Sequence, residues 1–212
     1  MNYLIGFDTE TGGLDCKKAD LLTAYFCILD EDLKLVEELD LKLKPNDGRF
    51  PICESQALAV NKINIKEHLE NPNTITYSEG KAKVMAFIRK YLKKKGRYSN
   101  IKAFGYNILG FDIPWVQEYL IPKDDWLSTI HYKCIDVMQA VDFLKEATWF
   151  PPELGSLGTV VNYLGLPQRD AHNAREDTLM TVDVYRKILE IMKSKKDGGG
   201  QSQDLISLLE AE

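Results

Sequence analysis

The chain has 212 residues, with 27 basic and 32 acidic side chains and a formal charge of −5, a length that fits one domain or one domain with a tail. No apolar run approaches the roughly 18 residues of a membrane span, and the opening Tyr3-Leu4-Ile5-Gly6-Phe7 lacks the basic segment of a signal peptide. Cys16, Cys27, Cys53 and Cys134 form neither a CxxC pair nor a zinc spacing, so a soluble cytoplasmic chain with reduced thiols and no membrane partner is expected.

Three strand-like segments come first. Tyr3 to Glu10 is apolar and then abruptly acidic, Leu21 to Leu29 is apolar throughout as in a strand buried on both faces, and Val36 to Lys44 alternates as a half-exposed strand does. Gly12-Gly13 and Asp30-Glu31-Asp32 supply the turns of an antiparallel meander. After a loop through Pro45, Gly48 and Pro51 comes a short helical piece, Ser55 to Val60. Ser78-Glu79 can cap a helix whose apolar positions Val84, Phe87, Ile88, Tyr91 and Leu92 recur at spacings of three and four. Ile101 to Tyr106 and His131 to Ile135 read as further strands, and helices are expected from Pro114, over Met138 to Leu144, over Leu154 to Leu164 and over Ala174 to Ile191. A meander followed by alternating strands and helices predicts an α/β domain with a mixed sheet.

Three segments carry candidate chemistry. In Phe7-Asp8-Thr9-Glu10-Thr11-Gly12-Gly13-Leu14, Asp8 and Glu10 stand two apart on a strand, so both carboxylates share a face and suit a hard cation such as Mg²⁺ or Mn²⁺. Alone, the pair equally suits a strand running into a solvated acidic turn. In Asn107-Ile108-Leu109-Gly110-Phe111-Asp112, the aspartate opens a helix, where it is either a site acid or a cap beside Pro114. In His172-Asn173-Ala174-Arg175-Glu176-Asp177, an imidazole and a carboxylate can converge at a helix start, although an exposed loop histidine has the same look.

In order, the segments read D-x-E, N-x-x-x-F-D and H-x-A-x-x-D. The sequence resembles the DnaQ-like DEDDh exonucleases, proofreading epsilon-type domains among them, in their three Exo motifs, from Met1 to about Lys193. Gln56 to Ile63 and Leu157 to Leu166 are similar to two further family segments. The resemblance implies a ribonuclease-H-like five-stranded mixed sheet, antiparallel then parallel, flanked by helices. It also implies 3′–5′ hydrolysis of DNA ends to nucleoside 5′-monophosphates, with two divalent ions (Mg²⁺, Mn²⁺ able to substitute) held by Asp8, Glu10, Asp112 and Asp177. By the same analogy Asp8 bridges both ions, Glu10 and Asp177 complete one, Asp112 acts largely through water, and His172 is the general base. Thr11, Gly12, Leu14, Asn107 and Phe111 are expected to receive the terminal nucleotide. Gly13 departs from the threonine of many proofreading members, and the segment around Asp112 looks more like that of family B polymerase proofreading domains. Those domains carry Tyr four residues before the last acid, where this chain has Asn173, so the histidine class is retained.

The expected substrate is a single-stranded or frayed 3′ end of DNA, in proofreading or repair, with trimming of RNA, or a non-catalytic recruitment module, as alternatives. Residues 1–193 would form the nuclease domain and 194–200 a Lys/Gly linker. Residues 201–212 are an apolar-acidic tail in which Leu205, Ile206, Leu208 and Leu209 follow Gln203, a pattern suited to a sliding clamp or another polymerase-associated partner. Lys93 to Arg97 reads as a solvated helix end. Taken alone, the acidic balance opposes binding to nucleic acid. Asp197, Asp204, Glu210 and Glu212 all follow Lys196, however, which leaves 28 acidic against 27 basic side chains before them. Two divalent ions would bring that domain to about +3, so nucleic-acid binding is expected to depend on metal.

Overall fold

The computed structural model describes residues 3–93, 99–169 and 173–198. Strands β1 (Tyr3–Thr11), β2 (Leu21–Leu29) and β3 (Leu35–Lys44) form the expected antiparallel meander, and β5 (Ile101–Gly105) and β6 (His131–Asp136) add to β1 in parallel. The sheet has six strands rather than five, in the order β4-β3-β2-β1-β5-β6. The extra edge strand β4 (Thr74–Thr76) pairs in parallel with Lys42–Lys44 and is three residues long, too short to show any periodicity.

β2 is buried on both faces, and its parity divides the core. Ala24, Phe26 and Ile28 join Ile5 and Phe7 under α3 (Tyr77–Arg89), α4 (Asp112–Tyr119) and α5 (Lys123–Thr129). Tyr25, Cys27 and Leu29 join Phe104 under α6 (Val137–Glu146), α7 (Leu157–Tyr163) and α8 (Ala174–Gly198). Thr76, not Ser78, caps α3. Its hydroxyl accepts from the Glu79 amide while Glu79 reaches back to the Thr76 amide, a reciprocal pair that satisfies two otherwise unpaired donors.

α1 (Ser55–Asn61) is where the sequence places it, and α2 (Ile65–Glu70) follows, holding His68 buried with Nε2 2.8 Å from the Leu43 carbonyl oxygen. α8 continues to Gly198, past the composition change at Lys193, because lysines propagate a helix as readily as most residues. Residues 94–98, the body of the basic run, lie outside the described residues, as do the tail 201–212 and His172. Among the described residues no helix is long and apolar enough to cross a membrane.

Candidate active site

Strand parity builds the site. Ile5 and Phe7 face the α3–α4 layer, so Gly6, Asp8 and Glu10 face α8. Gly6 sets how closely that helix approaches: a Cβ there would stand 2.8 Å from Cys27 Sγ and 3.1 Å from Thr178 Cγ2. Asp177, the residue before Thr178, comes from α8 onto the same face. Asn173 caps the helix, its side-chain oxygen accepting from the amides of Arg175 (3.1 Å) and Glu176 (3.4 Å), and its carbonyl accepts from the Asp177 amide at 2.9 Å. One carboxylate oxygen each from Asp8, Glu10 and Asp177 then lie within 4.8 Å of one another.

The crowding makes these acids hard to ionise. Burial raises the Asp8 carboxyl well above the ordinary range, and Asp112, Glu10 and Asp177 add to the rise. Burial, then Asp177 and Asp112, push Glu10 to about 8. An all-oxygen donor set whose members resist negative charge until a cation joins them fits a hard divalent metal.

Asp112 is almost fully buried and enters from α4. It is not the helix cap, since Phe111 holds that position with no side-chain bond. Instead its Oδ1 accepts from the Thr9 amide at 2.9 Å and the Thr9 hydroxyl at 2.6 Å. β5 pairs with β1 only as far as Gly6 opposite Phe104, which leaves the Thr9 amide on that edge for Asp112. Burial pushes Asp112 to about 7 despite these bonds. The turn that delivers it is held by Asp136, whose only mark in the sequence is its place before a helix. Asp136 Oδ1 accepts from the Asn107 amide (2.9 Å) and caps α6 through Met138 N (3.1 Å), and its Oδ2 accepts from Leu109 N (3.1 Å). Asn107 takes φ +59°, a left-handed conformation that asparagine tolerates.

Beside the acids lies a cavity of about 310 Å³, with Glu10, Thr11, Leu14 and Phe111 on one side and Val60 and Asn61 of α1 on the other. Leu14 is 82% exposed at its edge. The Thr11–Gly13 turn is fixed from three directions: Asn61 Nδ2 donates to the Thr11 carbonyl (3.0 Å), Thr11 Oγ1 to the Gly13 carbonyl (2.7 Å), and Glu54 N to the Gly12 carbonyl (2.6 Å). A side chain on Gly12 would run into the Ile52 carbonyl oxygen. Thus Thr11, Leu14 and Phe111 border one cavity, Gly12 is held directly behind it, and Asn107 lies outside its lining. Asn61 and Glu54 went unnoticed in the sequence although Asn61 falls within the segment Gln56 to Ile63; their roles depend on contacts some 40 to 50 positions back along the chain.

Gly6→Ala tests the close approach of α8. It is expected to destabilise the fold by about 1–3 kcal/mol and to raise the Mn²⁺ concentration needed for half-maximal thermal stabilisation. Thr178→Ser, which removes the methyl and keeps the hydroxyl bond to the Ala174 carbonyl, should partly restore both. Unfolding curves and metal titrations of the single and double variants check this.

No protein-family model matches the sequence, and no curated protein does. The fold does have solved counterparts. A zinc-bound E. coli exonuclease I–ssDNA complex superposes with a TM-score of 0.71 at 18% identity over 93% of this chain and 42% of that one. Exonuclease I of Methylocaldum szegediense gives 0.68 at 18% identity, covering 90% and 41% of the two chains. An E. coli exonuclease I complex with SSB-Ct gives 0.65 at 16% identity, covering 92% and 44%. The chain therefore spans less than half the length of these enzymes. Its mixed sheet, with helices on both faces, is the ribonuclease-H-like exonuclease fold that its three acidic motifs led one to expect.

Proposed function

We propose that the protein is a metal-dependent 3′–5′ exonuclease that removes nucleoside 5′-monophosphates from the end of single-stranded DNA. The observation that carries this reading is the convergence of the Asp8, Glu10 and Asp177 carboxylates beside a cavity with room for one nucleoside. Asp8, Glu10 and Asp177 would hold one divalent ion, and Asp8 and Asp112 would contribute to a second. When bound, the ions supply Lewis-acid stabilisation of the attacking and leaving oxygens of an in-line displacement.

The chain's own residues do the rest. Leu14, Val60 and Phe111 give the terminal nucleoside apolar walls, and Thr9 fixes the orientation of Asp112. Water adds to the terminal phosphorus, the bond to the 3′ oxygen of the preceding nucleotide breaks, and His172 takes the proton of the attacking water. The departing 3′ oxygen is protonated from solvent. His172→Ala is expected to lower the rate by about 10²-fold or more while leaving metal-induced stabilisation unchanged, which separates the base from the ligands.

Digestion of matched 3′-labelled DNA and RNA oligomers with Mg²⁺, Mn²⁺ or EDTA tests the proposal. Metal-dependent release of mononucleotides from single-stranded DNA is expected. Faster release from RNA would move the substrate to RNA, and binding without release under any metal would leave a recruitment module.

A further inference from the structure

Beyond Glu10 the sheet carries a second polar recess that the proposed reaction leaves unused. The strand register sets Glu10 beside Thr23 and Thr23 beside Lys42, so β1, β2 and β3 each give one residue to a row across the sheet. Leu41 and Leu43 point into the core on the α3 side, which puts Lys42 on the face that carries the acids. Two strand spacings, about 10 Å, separate Lys42 from Glu10. A cavity of about 190 Å³ lies over this row, lined also by Asn61 of α1 and by Asn173 and Arg175 at the start of α8. It shares Glu10 and Asn61 with the nucleoside cavity, so the two recesses meet at the metal cluster.

The charges around it are unequally committed. Arg175 donates from Nε to Glu38 (3.1 Å) and from Nη1 to Glu176 (2.8 Å), which occupies its guanidinium, and Glu10 belongs to the metal cluster. Lys42 is exposed, and its ammonium makes no hydrogen bond or ion pair among the described residues; the Thr23 hydroxyl makes none either. Asp40 lines the cavity too, in the row of Asp8 and Tyr25. Its short side chain stays near that row, whereas the flexible four-carbon stem of Lys42 lets the ammonium swing towards the row of Glu10.

We propose that Lys42 and Thr23 form a second phosphate subsite, which takes a phosphate one nucleotide removed from the phosphate at the metal cluster. This rests on the exonuclease reading above. An uncommitted ammonium and an uncommitted hydroxyl are donors suited to phosphate oxygens, the first through charge-assisted bonds. A strand held at the metal cluster carries its neighbouring phosphates at a set distance from the one being cut. Both neighbours have the same chemistry: the phosphate on the 5′ side, in the strand that remains, and a phosphate esterified to the terminal 3′ oxygen. In the first case Lys42 tightens binding of strands longer than two nucleotides; in the second it admits 3′-phosphorylated ends.

Dissociation constants in Ca²⁺ at low salt test this with four thymidine probes: pT and pTp, which differ by a 3′-phosphate, and TpT and pTpT, which differ by a 5′-phosphate. In the wild type the added phosphate is expected to tighten binding by about threefold to tenfold in one pair, and the pair with the larger gain identifies the side. Lys42→Gln should bring that gain to within about twofold of unity, and Thr23→Val should reduce it in part. Each gain is a ratio within one variant, so a general loss of binding cancels. A gain that survives Lys42→Gln, or no gain in either wild-type pair, would overturn the subsite; Ca²⁺-dependent binding of pT would then leave the exonuclease reading standing. A wild type that binds none of the four probes would remove that reading and the subsite together.

Discussion

Asp8→Asn is expected to abolish metal-dependent release of mononucleotides, by about 10³-fold or more, and at the same time to raise the melting temperature of the metal-free protein. The second effect follows from the crowding of the acids. Asp8 is raised by its burial and then by the charges of Asp112, Glu10 and Asp177, and Glu10 and Asp112 are pushed to about 8 and about 7. Carboxyls raised in the folded state bind protons there that the unfolded chain has already released, so stability falls as pH rises from about 4 towards about 8. A cation reverses that loss by binding only the folded arrangement. Removing one charge from the cluster should gain about 1–3 kcal/mol in the metal-free protein near pH 8, or roughly 3–10 °C. Melting curves across that pH range, with Mn²⁺ and with EDTA, check every part of this. Wild type should gain from Mn²⁺ most at the alkaline end, and Asp8→Asn should gain little anywhere. A variant that melts lower than wild type and still responds to Mn²⁺ would show that the three carboxylates do not form a metal centre.

How legible this was in the sequence depended on the range of the contact concerned. The shared face of Asp8 and Glu10 could be read because strand parity is a local rule, and the both-faced burial of β2 because its nine residues are apolar without a break. The meeting of β1 with the start of α8 required the resemblance to a family, since nothing local joins residue 10 to residue 177. β4 could not be seen because three residues carry no period, and its pairing with Lys42–Lys44 is set by the two helices, α1 and α2, between them. Ser78-Glu79 puts the start of α3 two residues late, because the cap is Thr76 and only its reciprocal bonds with Glu79 show this. Asp112 is expected as a site acid only through the resemblance, and what fixes its carboxylate beside β1 is Thr9, 103 residues away. Asp136 and Asp20, which hold the turns around the acids, carry no signal beyond the place of Asp136 before a helix. An isolated aspartate at a strand end or in a loop looks the same whether it faces water or gathers several buried donors.

Asp20 leads to the largest expected loss of stability. It is 1% exposed and sits where three segments meet. Its carboxylate accepts from Arg49 Nη1 (2.6 Å) and Nη2 (3.0 Å), from Ile52 N (2.6 Å) and from the Tyr77 hydroxyl (3.1 Å). Its own carbonyl accepts from Gly12 N at 2.7 Å and its amide donates to the Ile52 carbonyl at 3.0 Å. Burial works against the charge of Asp20, but the Arg49 guanidinium, the Ile52 amide and the Tyr77 hydroxyl outweigh it and hold the carboxyl below the ordinary range. Asp20→Ala takes an acceptor from each of these donors. Arg49, with a side chain 43% exposed, can turn to water, and the Tyr77 hydroxyl keeps the Leu21 carbonyl at 3.1 Å, so the loss falls chiefly on the Ile52 amide and on the tie between the three segments. The cost is expected to be about 2–4 kcal/mol, roughly 5–15 °C. Its pH dependence has the opposite sign to that of the metal-site acids: a depressed carboxyl stabilises above its unfolded pKa and loses that contribution as pH falls through the folded one, so the gap between wild type and Asp20→Asn should close only in strong acid. Since the same residue braces the Gly12 turn beside the cavity, a folded Asp20→Asn should, on the proposed function, also show a raised KM for oligomers with a smaller change in kcat. Urea unfolding as a function of pH, together with steady-state kinetics, checks both expectations, and a variant as stable as wild type at neutral pH would remove Asp20 as the residue that ties this turn to the sheet.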